Sequence, residues 1–424
     1  MTEYQRTTSY LFKLERFGIK LGLDNINSLL DFLDHPHRKW QSIHIAGTNG
    51  KGSTAAMLES VFIDAGLKVG LYTSPHLVDF TERIRINRIP ITKKDVIEFT
   101  NRMKPVIESI APSFFEVATA MAFWYFDKEN VDLAIVEVGM GGRLDSTNVI
   151  YPVATIINSI GYDHQYYLGR TIREIAREKA GILKKNVPCF TNNSDTEILE
   201  ELEKRCVELR SRLYNVRENC VYKINKSDLE YTSFDLSFQG ERFAGLRLNL
   251  LGDYQVSNAA LAIVTLLYLS EEYKINEQNI RRGLAQVAWK GRIDYICREP
   301  NIIIDVSHNT SGIEETLTFL KRFFPKYRTV IITFLQEDKD FKEIGELLAY
   351  HAQEIYIIDL HHGKPVNPEI FQNTIQNLNE CTKILTSFNS VLKLIKKDND
   401  LNKLWLIIGS HYLAGEAYKK LQCS

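Results

Sequence analysis

Between residues 42 and 158, short apolar runs alternate with stretches of helical periodicity. Ser42-Ile-His-Ile-Ala46 predicts a strand, and Gly52 to Ala65 predicts a helix with Met57, Leu58, Val61 and Phe62 on one side, stopped by Gly66. Lys68-Val-Gly-Leu-Tyr72 follows as a strand, Phe115 to Phe126 as a buried helix, and Leu133-Ala-Ile-Val-Glu-Val138 and Val153-Ala-Thr-Ile-Ile157 as two further strands. Such alternation predicts an α/β fold, a mostly parallel sheet with helices on both faces.

The texture changes over residues 193–251. After a charged helix at Thr196 to Arg212, the period-two runs Phe234-Asp-Leu-Ser-Phe238 and Leu246-Arg-Leu-Asn-Leu250 predict half-buried antiparallel strands, a small side-sheet of the first domain. Asp253 to Leu269 returns to helix, and Trp289-Lys-Gly-Arg292 reads as a hinge. A second alternating series carries the strands Ile302-Ile-Ile-Asp305, Thr329-Val-Ile-Ile-Thr333, Glu354-Ile-Tyr-Ile-Ile-Asp359 and Leu404-Trp-Leu-Ile-Ile408. The expected organisation is therefore a P-loop-type domain over residues 1–291 and a smaller Rossmann-like domain over residues 292–424.

Composition narrows the function classes. The chain has 424 residues, 44% hydrophobic and 25% charged, which excludes disorder for the whole chain. With 52 Lys+Arg against 53 Asp+Glu, no overall field draws it to nucleic acid or an anionic membrane, so an anionic ligand must be met by local chemistry. The six cysteines form no C-x-x-C pair, and neither a signal peptide nor a run of about 18 apolar residues is present. The expectation is a cytoplasmic monomer that acts on small molecules.

The strongest chemical signal is Ala46-Gly-Thr-Asn-Gly-Lys-Gly-Ser53, between a predicted strand and a predicted helix. Glycines let backbone N–H groups wrap a phosphate chain, the helix N-terminus adds its positive end, Lys51 supplies a point charge, and Ser53 offers a hydroxyl to Mg²⁺. The spacing departs from the usual loop: two residues separate Gly47 from Gly50, and Gly52 stands between the lysine and the serine. The bland alternative is a glycine-rich turn capping a helix.

Other candidates are weaker alone. Glu137 ends an apolar strand, where parallel sheets present residues to ligands, though it can also be a solvated strand-end charge. Asp145 lies in the glycine-rich stretch 139–148, which can orient a ligand or merely connect elements. His164 follows Asp163 and is a metal ligand or an ordinary histidine; Lys179 lies on a helix, where lysines usually face water. Asp305-Val-Ser-His-Asn309 ends a strand and begins a helix, so Asp305 and His308 can meet a nucleotide, or Asp305 can make an Asx turn or cap.

Taken together these segments resemble the folylpolyglutamate synthase/dihydrofolate synthase family of the Mur ligase superfamily. The similarity covers residues 17–412, through Gly18-Ile-Lys-Leu-Gly-Leu23, the loop ending at Ser53, Thr73-Ser-Pro-His-Leu77 with Glu82-Arg83, and Glu137-Val-Gly-Met-Gly-Gly-Arg-Leu-Asp145. It continues through Asp163-His164, Glu178-Lys-Ala-Gly181, Trp289-Lys-Gly-Arg292 and Asp305-Val-Ser-His-Asn309. The resemblance implies that Gly47, Thr48, Asn49, Gly50, Lys51, Gly52 and Ser53, together with Asn258, Arg292, Asp305 and His308, bind ATP. It implies that Ser53, Ser74, Glu137 and His164 hold Mg²⁺, two ions in all, with a monovalent cation a further expectation. Lys179 falls on a lysine that family members carbamylate, and Lys51, His164 and Lys179 form the catalytic set. Lys20, Leu21, Gly22, Leu23, Ser113, Phe114, Phe115, Leu144, Asp145 and Ser146 would receive the pterin end of the substrate.

The implied activity is ATP-dependent ligation of L-glutamate to dihydropteroate or to a folate glutamyl tail. Family members often have Pro at Lys290, Ala at Ser307 and Ala at Ser146; none of these departures removes a charged or phosphate-binding group. One rival is a Mur-type cell-wall amino-acid ligase, disfavoured because only 46 residues precede Gly47, too few for a sugar-nucleotide domain. The other is an inactive nucleotide-binding regulator, disfavoured by the intact set of charged residues.

Overall fold

The computed structural model describes residues 1–14, 22–360 and 362–421. The described residues form three sheets. The first contains β1 (Gln41–Ala46), β2 (Val69–Tyr72), β3 (Ile84–Ile86), β4 (Ile89–Pro90), β5 (Leu133–Glu137), β6 (Ala154–Ile157), β7 (Cys189–Thr191) and β8 (Leu213–Asn215), in the order β4-β3-β2-β5-β1-β6-β7-β8. Only the β2–β3 and β3–β4 pairings are antiparallel. From β1 the chain builds outward on one side with β2 and β5 and on the other with β6 to β8, which opens a crevice at the carboxyl end of β1.

Register places the chemistry at that crevice. Ile45 pairs with Glu137 and Ala46 with Ile157, so the loop after β1, the carboxylate ending β5 and Asn158 after β6 emerge side by side. The helix Lys51–Asp64 is buried on nearly every side from Gly52 to Phe62, not on the one face its sequence pattern predicts. It packs against the helices Tyr254–Tyr268 and Glu277–Gln286 as well as the sheet. Its one buried carboxylate, Glu59, is 1% exposed and accepts from both Nε and Nη2 of Arg85.

The side-sheet is antiparallel, in the order β11 (Glu241–Leu248), β10 (Thr232–Phe238), β9 (Cys220–Ser227). Its inward Phe234, Leu236, Leu246 and Leu248 join the same core as Leu58, Phe62 and Val264, so it belongs to the first domain as expected. The charged helix runs Thr196–Glu208 and stops before Arg210, whose φ is +52°.

The third sheet is β12 (Asp294–Arg298), β13 (Asn301–Ile304), β17 (Lys403–Ile408), β14 (Arg328–Thr333), β15 (Glu354–Ile358) and β16 (Thr382–Leu385), parallel except for β12. Ile303, Ile331 and Leu406 pack into one apolar layer, and Ile302, Val330 and Trp405 into the other. Helices covering both faces explain why these strands read as continuous apolar runs. The two domains interlock: Leu77, from the loop after β2, packs into one of these layers, and Val306 N donates to Gly291 O at 3.0 Å. Among the described residues no helix is long and apolar enough to cross a membrane.

Candidate active site

Between the carboxyl ends of β1, β5 and β6 and the second domain lies a cavity of about 340 Å³. All seven residues from Gly47 to Ser53 line it. Gly50 caps the helix with φ +89°, a left-handed conformation that suits glycine, and a Cβ there would lie 2.6 Å from Asn258 Oδ1. Gly52 is required for another reason: the indole of Trp289 lies over it, and a Cβ would come within 2.9 Å of Nε1. Trp289 in turn carries the Arg85 guanidinium 4.9 Å above its ring. The hinge residue thus packs directly against the phosphate loop.

The loop differs from the expected cradle in one respect. The backbone N–H groups of Thr48 and Asn49 both donate to Ser159 O, at 2.8 and 3.2 Å, and are therefore already engaged. The first N–H groups of the helix Lys51–Asp64 lack an intrahelical acceptor, as at any helix start, and face the cavity with the positive end of the dipole. Lys51 Nζ donates to Gly47 O and Thr48 O at 3.0 and 3.2 Å and lies 3.9 Å from Glu137 Oε1. Ser53 Oγ accepts from Gln255 Nε2 at 3.2 Å, a contact the sequence reading missed.

Ser74, Glu137, His164 and Lys179 also line the cavity. Burial raises the Glu137 pKa despite the nearby charge of Lys51 and the hydrogen bond from Ser74 N. A buried carboxylate that shares one cavity with Ser53 and Ser74 gives hard oxygen donors of the kind that suit Mg²⁺. His164 has a left-handed backbone, φ +49°, and its Nδ1 lies 3.0 Å from Asp338 Oδ2 of the second domain. Its Nε2 faces Asp163 Oδ2 at 3.8 Å, so the ring stands between two carboxylates, and a carboxylate bonded to Nδ1 is the arrangement that orients a metal-binding imidazole. Lys339 reaches across the same gap to Asp163 Oδ1 at 2.6 Å. Asp338 and Lys339 lie in a loop whose role the sequence reading did not identify.

Lys179 is 4% exposed, on the face of its helix that carries Ile175 and Ala176, where the expectation was a lysine facing water. Its Nζ donates to Gly47 O at 3.0 Å, and burial, with the Lys51 charge, lowers its pKa from 10.5 to about 7. Asn258, Arg292 and His308 also line the cavity, and the Arg292 charge is near enough to act on Glu137. His411, missed by the sequence reading, lines it too; burial and the charges of His308, Arg292 and Lys51 hold its pKa well below the ordinary value. A cavity that disfavours a further positive charge suits a polyanion.

Other expected residues lie elsewhere. Asp305 is fully buried and outside the cavity lining; its carboxylate accepts from Ile293 N at 2.8 Å and Ser307 N at 2.7 Å. It fixes the backbone at Ile293 and the turn carrying His308, where the expectation was direct contact with ATP. Ser113 caps the helix Phe114–Lys128 in a capping box with Glu116, Phe114 sits under Arg83, and partly exposed Phe115 packs over Gly139, which does line the cavity. Asp145 is buried and accepts from Thr147 N and Met140 N, Ser146 Oγ lies 3.1 Å from Thr119 Oγ1, and Leu144 is partly exposed. Gly22 and Leu23 precede the helix Asp24–Phe32, also partly exposed; Lys20 and Leu21 lie outside the described residues.

Comparison with known proteins agrees with this geometry. Residues 45–266 match the Mur ligase middle domain, and residues 291–411 match the Mur ligase glutamate ligase domain. The chain is 33% identical to the dihydrofolate synthase/folylpolyglutamate synthase of Bacillus subtilis, over 99% of this chain and 100% of that protein. Among solved structures, folylpolyglutamate synthase from Thermotoga maritima superposes with a TM-score of 0.85 at 31% identity, covering 99% of this chain and 98% of that one. E. coli FolC in complex with DHPP and ADP gives a TM-score of 0.88 at 27% identity, covering 97% of each chain. Two domain matches in order and near-complete coverage lead to one conclusion: the chain belongs to the dihydrofolate synthase/folylpolyglutamate synthase family of Mur-type ligases.

Proposed function

We propose that this protein is an ATP-dependent ligase that joins L-glutamate to dihydropteroate, to the glutamyl tail of a reduced folate, or to both. The observation that carries the reading is Lys51, at the head of the phosphate-loop helix, set 3.9 Å from the buried Glu137 in a cavity walled by Arg292 and His308 of the second domain. Such a constellation serves phosphoryl transfer, in which positioning and charge neutralisation do most of the work.

A carboxylate and an amine do not condense in neutral water without activation. The substrate carboxylate attacks the γ-phosphorus of ATP, ADP departs, and an acyl phosphate forms; the glutamate amine then attacks the acyl carbon and expels phosphate. Lys51 and the N-terminus of its helix stabilise the charge that develops on the phosphate chain. Arg292 and His308 meet the nucleotide from the second domain, and the closed cleft keeps water from the acyl phosphate. Ser53, Ser74, Glu137 and His164 would hold Mg²⁺, which when bound supplies charge neutralisation at the phosphates.

Lys179 suits carbamylation. A lysine with a pKa of about 7 is about half free amine at pH 7, and the amine adds to CO₂ to give a carbamate, with loss of a proton. The product is an anion beside Lys51. Phe115, at the rim next to Gly139, presents the aromatic surface for a flat pterin ring.

The test is phosphate release by the purified protein. It should require ATP, Mg²⁺, L-glutamate and a pterin substrate together, and the products should be one glutamate heavier. Equal release with a cell-wall precursor in place of the pterin would overturn the reading. Lys51→Ala should abolish product at unchanged circular dichroism, and near-normal turnover in that variant would remove the phosphate-loop role.

A further inference from the structure

Asn49 belongs to the phosphate loop, yet its side chain is turned to the other domain. Its Nδ2 donates to Ser311 Oγ at 2.9 Å and to Asn309 Oδ1 at 3.2 Å, and Asn309 Nδ2 donates back to Asn49 Oδ1 at 3.0 Å. The orientation of this pair follows from a neighbour that can only donate. Gly312 N–H bonds Asn309 Oδ1 at 3.0 Å as the N-cap contact of the helix Thr310–Phe323, so Asn309 must present its Nδ2 to Asn49. Asn49 must then answer with Oδ1, which leaves its own Nδ2 for Asn309 Oδ1 and Ser311.

We infer that Asn49 and Asn309 form a clasp that couples the phosphate loop to closure of the second domain, with Asn49 acting through its side chain as a positioning residue and not as a nucleotide ligand. The clasp has both ends in rigid settings. Asn49 N and Thr48 N are bound to Ser159 O, so the loop cannot follow the second domain freely. Asn309 starts a helix one residue after His308, so the contact that holds Asn309 also sets His308 against the cavity. Asn309 is 6% exposed and Asn49 partly exposed, so breaking the pair would leave the buried Asn309 Nδ2 without its partner. Loop and domain therefore share one arrangement, in which phosphate binding and closure reinforce each other.

This inference rests on the ATP reading of the loop, and its test separates the two. Asn309→Ser keeps a side chain able to cap the helix but too short to reach Asn49; Asn49→Ala removes the other half. Each should lower kcat/KM for ATP about tenfold with little change in Tm, and the double variant should be no worse than the poorer single one, because both remove the same contact. Asn309→Asp, which keeps the cap but sets an acceptor oxygen against Asn49 Oδ1, should lose as much as Asn309→Ser, and wild-type turnover in it would overturn the clasp. In solution scattering with a non-hydrolysable ATP analogue and Mg²⁺, the wild type should be more compact than either single variant. Losses that multiply in the double variant, or equal compaction in all forms, would overturn the clasp. A wild type that compacts normally but turns over no ATP with glutamate and pterin would count against the functional reading and leave the clasp standing.

Discussion

Replacing Lys179 by Met should make the protein more stable at neutral pH, although it removes a hydrogen bond. The native pKa is about 7, against 10.5 for a free lysine. Between those values the unfolded chain holds a proton that the native chain has released, so stability rises with pH through that window, by up to about 1.4 kcal/mol per pH unit. Below about pH 7 both states are charged, and the cost of burying the ammonium is present in full. At pH 7 that cost is about 4 kcal/mol relative to a neutral side chain of similar shape. The hydrogen bond to Gly47 O, at 3.0 Å, offsets about 1 kcal/mol of it. Lys179→Met should therefore gain about 3 kcal/mol at pH 7 and about 1 kcal/mol at pH 9, seen as a higher urea midpoint at unchanged m-value. The titrations need buffer free of CO₂, because a carbamate would replace the cation. Adding bicarbonate should stabilise the wild type and leave the Met variant unmoved. A Met variant less stable than wild type at pH 7, or a difference that does not change with pH, would refute the reasoning.

Two substitutions examine the walls of the site. Gly52→Ala forces a methyl group to within 2.9 Å of Trp289 Nε1 and should weaken ATP binding about tenfold or more, read by titration of a fluorescent nucleotide; adding Trp289→Leu should recover much of the loss, since the clash is with that ring. Phe115→Ala should raise KM for the pterin substrate about tenfold while KM for ATP stays put, measured by coupled phosphate release; an equal rise in both would mean that the residue supports the fold and not the ring.

Several of these effects turn on positions whose role was only half legible in the chain. Burial of Lys179 was only half legible: in the amphipathic helix Ile172–Ala180 it stands four residues after Ile175 and three after Ala176, on the apolar face, but that spacing does not tell that its amine meets Gly47 O. Asp305 stood out by its place at a strand end, but a strand-end aspartate serves equally as a ligand contact or as an acceptor for backbone amides, and here the amides of Ile293 and Ser307 take it. The short strands β3, β4, β7, β8 and β16, at or next to sheet edges, are two to four residues long and carry too few side chains for a period to be read.

What the chain determined by itself is local: β1, its glycine loop and its helix, the apolar strands β5, β13, β14 and β17, the two-residue alternation of the side-sheet, and the order of motifs that marks the family. These follow from side-chain periodicity and from backbone freedom at single positions, which neighbours in sequence dictate. Tertiary structure alone decided which of those motifs meet. Asn49 finds Asn309, Lys339 finds Asp163 and Trp289 covers Gly52 across separations of more than a hundred residues. Register between parallel strands and packing between domains set such pairs, and no local pattern records them, because a side chain's partner depends on where two distant backbones come to lie.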